Sequence, residues 1–528
     1  MIRRVAGTAF RSVVTGGSTI ATMAARGLLR PGRPDRVARQ LWTLHAWGYG
    51  IAAEVRSAAA RDPDRPAVID PAGTLTYGDL LDLATARAVS WRVRGIGPGT
   101  RLGLLRRNHR EFLLDLVAAG LLGADVVLLN TGLAPTSLAE VARAQHLDAL
   151  LRDPDLVCDA GVPDLDADPT DSGATHSDPA RTGAAALAPP VREGRIIVLT
   201  SGTTGTPKGA VRPPAPGLSP LVSILSRIPI DAGDRILIAA PMFHTWGLAG
   251  LQIALATRAT IVLRPRFDAA DCLDTVVRER CDVLLAVPVM LARMLDEPVV
   301  PTGLRVVAVS GSALPAGLAP AFMDAYGEVL YNLYGSTEAS WASIATPADL
   351  RRDPATAGRP PRGTTVRILD SSLRPATTGD IYVGNDMLFD GYTDAPERRR
   401  LDGLVPTGDV GHVEDGLLFV DGRADDMVVS GGENIHPAAV ERILAEVAGV
   451  AEVAVTGVPD DEFGQRLAAW VVPRPGVTLD PDALRAAVRT RMAGFCVPRD
   501  VHVLTALPRN ATGKIVTREL RPEPPATC

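Results

Sequence analysis

Short apolar runs that end in Pro, Gly or Ser recur along most of the chain, and stretches of helical periodicity separate several of them. Near the start of this pattern, "AVID" and "LTYGDL" indicate a strand, a turn and the beginning of a helix. The run 101–130 then indicates strand, helix and strand. Further strands are predicted at "RIIVLT", "RILIAAP", "ATIVLRP", "CDVLLAVP" and "LRVVAVSGSALP". Repetition of this unit predicts layered α/β structure.

The pattern becomes turn-rich and β-like beyond residue 360, at "TVRILD", "GDIYVGN" and "GLLFVDGR". We therefore expect the large α/β domain to end in a β-rich subdomain.

A smaller unit begins near residue 425. Its segment "HPAAVERILAEV" predicts a helix, because Val440, Ile443, Leu444 and Val447 fall on one face. "VAEVAVTGVPD" predicts a strand, and "DPDALRAAVRTRM" predicts a helix that an aspartate caps and a proline opens. The expected organisation is an N-terminal extension (1–48), a large domain (49–423) and a small α+β domain on a hinge (424–528).

Two segments fall outside these patterns. Residues 152–194 are rich in Asp, Pro, Ala, Gly and Thr, which predicts a loop or a partly disordered insert. Residues 1–30 are basic at the start and mildly apolar, but no run reaches the length of a membrane span. A helix packed on its own domain or a loose tail is the favoured interpretation, and peripheral membrane contact by a surface helix is the alternative.

Composition narrows the function classes. A chain of 528 residues predicts two or more domains, and a net charge of -5 argues against nucleic acid as the main partner. The five cysteines are scattered without a CxxC pair, and the eight histidines show no HExxH spacing. This argues against a disulfide framework or a zinc site and favours a reducing, cytoplasmic compartment.

Lysine is almost absent. Of 55 basic residues only Lys208 and Lys514 are lysines, and the rest are arginines. Because an ammonium on a thin stem and a planar guanidinium differ in shape, the two lysines point to sites where arginine does not fit.

Lys208 lies in "TSGTTGTPKG", directly after the predicted strand "RIIVLT". The stretch matches neither a Walker loop nor a GxGxxG fingerprint. Its glycines nevertheless allow backbone N–H groups to approach an anion, its hydroxyls add donors, and the lysine adds a cation. The sequence favours a phosphate-binding loop over the alternative of a flexible surface turn.

Other motifs offer matching chemistry, although each has a plain structural alternative. "YNLYGSTEAS" supplies an aromatic ring, a hydroxyl and a carboxylate for Mg²⁺, or is a turn before a helix. "PTGDVG" supplies a carboxylate for ribose hydroxyls, or is a Gly-Asp turn. "GRADDMVVSGGENIHP" could be a plain inter-domain loop, and "LPRNATGKI" places the second lysine on a glycine turn.

The order and spacing of these motifs resemble the AMP-forming adenylating enzymes, namely acyl-CoA synthetases, peptide-synthetase adenylation domains and beetle luciferases. The resemblance covers nearly the whole chain after about residue 50, and "PMFHTWG" with "SGGENIHP" looks most like bacterial fatty-acyl-CoA synthetases. It implies a mobile C-terminal domain and two steps. A carboxylate first attacks the α-phosphorus of ATP and releases pyrophosphate, and a thiol of coenzyme A then attacks the acyl-adenylate.

The resemblance also implies residue roles. Lys514 would bridge the carboxylate and the α-phosphate, Thr337 would contact the α-phosphate, and Glu338 would hold Mg²⁺. The β- and γ-phosphates would lie against Thr200, Ser201, Gly202, Thr203, Thr204, Gly205 and Lys208. The nucleoside would lie against Gly311, Ser312, Ala313 and Tyr334 at the adenine and against Asp409 and Arg423 at the ribose.

For the thiol step, Asp425 matches the hinge, and Gly431 and Gly432 would border the pantetheine. The hinge stretch here is "GRADD", with an alanine where many relatives have lysine.

His244, Trp246 and Gly247 would border the acyl pocket, and plain core is the alternative for this apolar run. We therefore predict an ATP-dependent ligase of medium- or long-chain fatty acids with coenzyme A. A fatty-acyl-AMP ligase that loads a carrier protein and a non-catalytic binder of the same fold are the alternatives.

Overall fold

Four β-sheets organise the part of the chain that the computed structural model describes: residues 19–156, 160–165, 187–200, 208–393, 400–424, 426–430, 433–460, 464–510 and 513–520. The strands are β1 (Pro66–Asp70), β2 (Gly73–Thr76), β3 (Arg101–Leu105), β4 (Asp125–Leu128), β5 (Ala149–Arg152), β6 (Ile196–Thr200), β7 (Lys208–Arg212), β8 (Arg235–Ile238), β9 (Thr260–Val262), β10 (Val283–Ala286), β11 (Val306–Val309), β12 (Leu330–Tyr334), β13 (Ser343–Ala345), β14 (Thr365–Leu369), β15 (Thr378–Gly384), β16 (Gly391–Tyr392), β17 (Val405–Glu414), β18 (Leu417–Arg423), β19 (Val428–Ser430), β20 (Glu433–Ile435), β21 (Val450–Asp460), β22 (Gly464–Pro473) and β23 (Asp500–Val503). The α-helices are α1 (Pro34–Trp47), α2 (Ile51–Arg61), α3 (Tyr77–Val93), α4 (Arg110–Leu122), α5 (Pro135–Ala144), α6 (Ser219–Leu225), α7 (Thr245–Ala256), α8 (Ala269–Arg278), α9 (Pro288–Leu295), α10 (Leu318–Tyr326), α11 (Pro347–Arg352), α12 (Pro437–Ala445) and α13 (Pro481–Arg489).

The largest sheet has eight strands in the order β13-β12-β11-β10-β8-β9-β1-β2. The six inner strands are parallel, and β13 and β2 are antiparallel edge strands. The inner strands are short and almost wholly buried, as expected for parallel strands with helices on their faces. Their carboxyl ends all meet at one edge, which is where open α/β sheets bind ligands.

A second sheet has the order β16-β7-β6-β4-β3-β5. Strands β6, β4, β3 and β5 are parallel, and β7 returns antiparallel to β6. One cluster of buried apolar side chains contains residues from both large sheets, including Leu102, Val126, Ile236 and Val283. The two sheets therefore share a core, and the predicted layered α/β architecture is confirmed.

The antiparallel sheet β14-β15-β17-β18 is the β-rich part predicted beyond residue 360. The C-terminal strands form a separate sheet, β20-β19-β22-β21 with β23 beside β22, and its core is a cluster of its own. In α12, Val440 and Leu444 are fully buried in that core, as the helical pattern predicts. The large-domain and small-domain organisation is confirmed, while the exact boundaries at 48 and 423 and the hinge stay predictions.

Local signals set several helix ends. Asp480 caps α13 by accepting from the backbone N–H of Asp482, and Pro481 occupies the first turn, as predicted. Thr76 and Asp79 form a reciprocal capping box at the start of α3, 3.1 Å from the Asp79 N to the Thr76 Oγ1. Such caps satisfy backbone donors that no helical partner reaches.

The N-terminal extension packs on the large domain. A helical segment over 19–25 precedes α1, and Arg26 pairs with Asp231 at 3.2 Å. This agrees with the favoured interpretation of a helix on its own domain, although residues 1–18 lie outside the described part and peripheral membrane contact stays a prediction. No helix among the described residues is long and apolar enough to cross a membrane. The predicted insert 152–194 is irregular at 153–156, 160–165 and 187–194, and 157–159 and 166–186 are not described.

Candidate active site

Lys208 begins the strand that returns from the hydroxyl-rich loop. In the β6-β7 pair Thr200 stands directly opposite Lys208, so residues 201–207 connect two paired strands. The Lys208 Nζ lies 5.9 Å from the centroid of the Tyr392 ring on β16, which pairs with β7. Gly209 follows at a point of close approach, because a Cβ there would lie 2.4 Å from the Gln145 Oε1. The hairpin therefore holds the lysine beside an aromatic residue that lies far away in sequence.

One residue of β16 and one of β7 hold the segment of Thr337 and Glu338. The Tyr392 hydroxyl donates a hydrogen bond to the Glu338 Oε1. Arg212, at the end of β7, donates to the Thr337 carbonyl at 2.8 Å. Burial lowers the pKa of Arg212 to about 10, and the nearby Glu338 carboxylate opposes part of this shift. Arg212 is therefore still a cation at pH 7 and places a positive charge near Glu338.

Thr337 connects this group to α7. Its hydroxyl lies 3.5 Å from the Thr245 hydroxyl at the first turn of that helix. His244 precedes Thr245 as the N-cap residue, with extended backbone angles. The sequence motifs around residues 244 and 337 thus meet at the carboxyl edge of the large sheet.

Lys514 reaches the same place from the small domain. Burial, with a further contribution from the positive charge of Lys514, lowers the pKa of His244 to about 4. The turn before Lys514 rests on the large domain, since a Cβ on Gly513 would lie 2.5 Å from the Val289 Cγ1 of α9. Gly513 has a φ of 81°, which favours glycine, and the Asn510 side chain accepts from the Lys514 N–H at 2.9 Å. The structure therefore places the second lysine beside a neutral histidine.

Tyr334, Asp409 and Arg423 form one cluster. The Tyr334 hydroxyl donates to the Asp409 Oδ2 at 2.6 Å, and an Arg423 Nη1 lies 3.8 Å from the Asp409 Oδ1. Asp409 and Arg423 are direct register partners in the β17-β18 pair. Burial and the Asp409 charge raise the pKa of Tyr334 well above its usual value, so the hydroxyl remains a donor.

The segment Gly311, Ser312 and Ala313 lies beside this cluster. Because Val309 of β11 pairs with Asn332 of the parallel β12, Gly311 continues next to Tyr334 at the carboxyl edge. Gly311 has a φ of 95° and is exposed, which leaves its backbone accessible.

Comparison with known proteins agrees with this geometry. The model of the AMP-binding enzyme family matches residues 55–393, and that of the AMP-binding enzyme C-terminal domain matches residues 439–514. The chain belongs to the AMP-binding enzyme family.

Relatives of this AMP-binding enzyme have varied names. It is 32% identical over 489 residues to an indoleacetate–CoA ligase from Aromatoleum aromaticum, covering 88% of this chain and 96% of the relative. It is 30% identical over 498 residues to a long-chain-fatty-acid–CoA ligase from Mycobacterium tuberculosis, covering 90% and 98%. The solved structure of o-succinylbenzoate CoA synthetase from Bacillus subtilis, in complex with its acyl-adenylate intermediate, is similar with a TM-score of 0.77 and 26% identity, covering 89% and 98%.

In this AMP-binding enzyme the predicted acyl-pocket residues Trp246 and Gly247 also have structural roles. The Trp246 indole is 4% exposed and donates to the Ala286 carbonyl at 2.9 Å. A Cβ on Gly247 would lie 2.2 Å from the Pro241 carbonyl oxygen, so the helix start needs glycine to approach this loop. Both residues belong to the packing under His244, as the plain-core alternative expects, and their place at an acyl pocket stays a prediction.

Sequence reasoning missed Asn108. This side chain is 6% exposed and lies between β3 and α4. It donates to the carbonyls of Ile238 and Ala240 at 3.0 and 2.9 Å, and it accepts from the Met242 N–H at 2.9 Å. Asn108 therefore fixes the loop that leads to His244.

Sequence reasoning also missed Tyr392 and Arg212. A sequence signal for either is weak, because their partners Glu338 and Thr337 are distant in the chain. The one local signal for Arg212 is that it lies in β7, the strand that begins at Lys208.

Several predicted residues lie outside the described part of the chain: Ser201, Gly202, Thr203, Thr204, Gly205, Asp425, Gly431 and Gly432. Their roles in phosphate binding, at the hinge and at the thiol stay predictions. For Thr200 the structure describes the backbone at the end of β6.

Proposed function

We propose that this protein is an AMP-forming CoA ligase that activates a medium- or long-chain fatty acid. The observation that carries the proposal is the position of Lys514. One of only two lysines in the chain, it stands on a turn of the small domain that rests on α9 and lowers the pKa of His244 in the large domain.

The cations at this edge suit the first step. Attack of a carboxylate on the α-phosphorus brings two anions together, so catalysis depends on positioning and on neutralising charge. We assign Lys514 to the charge that develops between carboxylate and α-phosphate, and Lys208 with the loop 200–205 to the outer phosphates. His244 is neutral at pH 7, so it can orient a substrate oxygen without competing with Lys514 for the anions.

Glu338 suits Mg²⁺ as a single protein ligand. The Tyr392 hydroxyl bonds its Oε1, and Mg²⁺ commonly uses one or two carboxylates with substrate phosphates and water. Among the described residues no group of three or more His, Cys, Asp or Glu side chains could hold an ion, so a protein-only cage does not fit them. Bound Mg²⁺ would neutralise the charge of the phosphates and of the leaving pyrophosphate.

The cluster at β12, β17 and β18 suits the nucleoside. The Asp409 carboxylate can accept from both ribose hydroxyls while Arg423 and the Tyr334 hydroxyl hold it in place. We assign the adenine to the space between Tyr334 and the backbone of Gly311, Ser312 and Ala313, with Thr337 at the α-phosphate.

For the second step we propose that the small domain, 424–528, rotates about Asp425. This would move Lys514 away and bring Gly431 and Gly432 to the pantetheine of coenzyme A. The resemblance to the family supports this division of labour, in which one large domain (49–423) serves two reactions.

An apolar acid suits the helix that follows His244. The residues of α7 after Gly247 are almost all apolar and include Leu248, Leu251 and Ile253. The names of the relatives support CoA ligation more firmly than chain length, since one acts on indoleacetate and another on long-chain fatty acids. Aromatic acids are therefore the second candidate substrate class.

The test is pyrophosphate release from ATP with a panel of fatty and aromatic acids, followed by detection of the CoA thioester. We expect release and thioester with C8–C18 acids, and loss of release in Lys514→Ala. A preference for aromatic acids would overturn the fatty-acid part alone. Release of acyl-AMP without thioester would favour loading of a carrier protein, and no release with any acid would favour a non-catalytic binder.

A further inference from the structure

A second cavity, of about 210 Å³, lies between the N-terminal extension and the large sheet. It opens at the amino ends of three neighbouring parallel strands, because Arg65 directly precedes β1, Gly233 precedes β8 and Arg258 precedes β9. The candidate active site lies at the carboxyl ends of the same sheet. The two sites are therefore at opposite edges.

Arginines dominate the lining of this cavity: Arg30, Arg33, Arg36, Arg61, Arg65 and Arg258. We call these six residues the arginine cluster. Three come from the extension and three from the large domain. A cavity between two chain segments that each supply guanidinium groups can contact one ligand from both sides.

Arg61 and the Nε of Arg65 are buried. Arg61 is 7% exposed and donates to the Arg30 carbonyl at 2.8 Å. Arg65 donates to the Gly233 carbonyl, and its Nε is buried without a hydrogen-bond partner. A buried, unsatisfied guanidinium N–H is costly to the fold, so a ligand that accepts from it would be stabilising.

Glycines leave room for the guanidinium groups. A Cβ on Gly32 would lie 2.5 Å from an Arg61 Nη2, and one on Gly233 would lie 2.4 Å from an Arg65 Nη2. A Cβ on Gly27 would lie 2.8 Å from the Arg30 Nε. Side chains at these positions would displace the guanidinium groups of Arg30, Arg61 and Arg65, so glycine keeps this space free for them.

Carboxylates are fewer than arginines at this cavity. Among the described residues that line the cavity the one carboxylate is Asp62, 3.7 Å from the Arg258 Nε. Asp64 lies 3.7 Å from Arg36, and Asp35 pairs with Arg33 and Arg39, but neither aspartate lines the cavity.

Two buried groups near the cavity have shifted pKa values. Burial raises the pKa of Glu54 to about 8, so this carboxyl is mostly protonated at pH 7. Burial and the like charge of Arg61 lower the pKa of Arg258, and the Asp62 carboxylate opposes this shift. The cavity therefore keeps an excess of positive charge.

We propose that the arginine cluster binds a phosphate group that carries two negative charges and thereby fixes the N-terminal extension to the large domain. Guanidinium forks bond phosphate oxygens in pairs, and several forks around one cavity suit a dianion better than a carboxylate. The phosphate could belong to a soluble phosphomonoester or inorganic phosphate, or to a lipid headgroup.

Hydrogen–deuterium exchange of the full chain with inorganic phosphate tests the site and separates it from the active site by position. We expect slower exchange in peptides over 26–37 and 58–66, at equal ionic strength with chloride as reference. In the double variant Arg61→Gln, Arg65→Gln the phosphate concentration needed for protection should rise at least about tenfold, because two charge-assisted contacts are lost. Arg26→Gln, on the same extension but outside the cavity, should keep the wild-type response.

A second pair of variants and two kinds of lipid vesicle ensure that each outcome either supports or contradicts the proposal. If the inner double variant misfolds by circular dichroism, the outer pair Arg33→Gln, Arg36→Gln gives the same test. Vesicles that contain phosphatidic acid, compared with phosphatidylcholine alone, identify a lipid source if they protect these peptides and inorganic phosphate does not. Equal protection by chloride, equal protection in the cluster variants, or no protection by either phosphate source would overturn the proposal.

Discussion

Asn108→Ala should show how strongly a residue outside every motif holds the site together. The wild-type carboxamide makes three hydrogen bonds to the loop 238–242, at 2.9 to 3.0 Å, and is almost completely buried. Among the described residues, no other side chain from the second sheet or its loops hydrogen-bonds the backbone of 238–242. This loop leads directly to His244.

The magnitude follows from the number of bonds. A buried hydrogen bond contributes about 0.5–1.5 kcal/mol net, and more where its removal leaves a partner unsatisfied. Loss of three bonds should therefore lower the free energy of unfolding by about 2–4 kcal/mol. The loop should also move more freely, so pyrophosphate release should fall by more than stability alone would cause.

Two measurements check this. Urea unfolding gives the change in stability, and hydrogen–deuterium exchange gives the mobility of residues 239–246. The matched control is Tyr77→Phe, which removes one fully buried hydrogen bond, 2.7 Å to the Ala259 carbonyl, on a different loop. It should cost about 1 kcal/mol and leave exchange at 239–246 unchanged.

A loss below about 1 kcal/mol in Asn108→Ala would refute the estimate. Unchanged exchange at 239–246, or the same increase there in Tyr77→Phe, would refute the claim that Asn108 positions this loop.

Three further results are expected. Lys514→Arg should lose most pyrophosphate release while keeping the charge, because a planar fork does not fit where a thin ammonium stem does. The His244 imidazole should titrate near pH 4 by NMR, and Lys514→Ala should raise its pKa because a neighbouring positive charge is removed. The imidazole binds its proton near pH 6.5 in the unfolded chain but only near pH 4 in the folded chain. Protonation therefore favours the unfolded state, and the wild type should lose about 3 kcal/mol of folding stability from this group as the pH falls from 6.5 to 4. His244→Gln should not show this loss. Gly209→Ala should lower the urea stability by about 1–3 kcal/mol, because its Cβ would overlap the Gln145 amide, whereas Gly303→Ala, which meets nothing within 4 Å, should be near neutral.

Each expected result has an outcome that would contradict it. Near-wild-type rates in Lys514→Arg would show that shape is unimportant there. A His244 pKa that ignores Lys514→Ala would show that the lysine is remote from it in solution. Equal stabilities of the two glycine variants would show that the β7 strand yields to the added methyl group.

Local chemistry allowed much of the fold to be predicted. Apolar runs of strand length, helix periods of 3.6 and the cap at Asp480 depend on neighbours within a few residues, so a sequence displays them directly. Most strands of the three sheets in the large domain lie where the pattern predicts strands, namely β1, β3, β4, β6, β8, β9, β10, β11, β14, β15 and β18. Strands β12 and β17 do not, because their motifs suggested turns as the structural alternative. The resemblance to the family added the order of the motifs, including the pairing of Asp409 with Arg423 at one site.

The sequence by itself determined the order of most helices and strands. It also determined the type of chemistry that the motifs of the two lysines can perform. Only the tertiary structure decided which distant side chains meet, such as Tyr392 with Glu338, Asn108 with the loop before His244, and the two halves of the arginine cluster. The physical reason is the distance along the chain over which each kind of interaction acts. Propensities and caps act between near neighbours, whereas these contacts join residues from separate strands and helices, and packing of the whole domain fixes their positions.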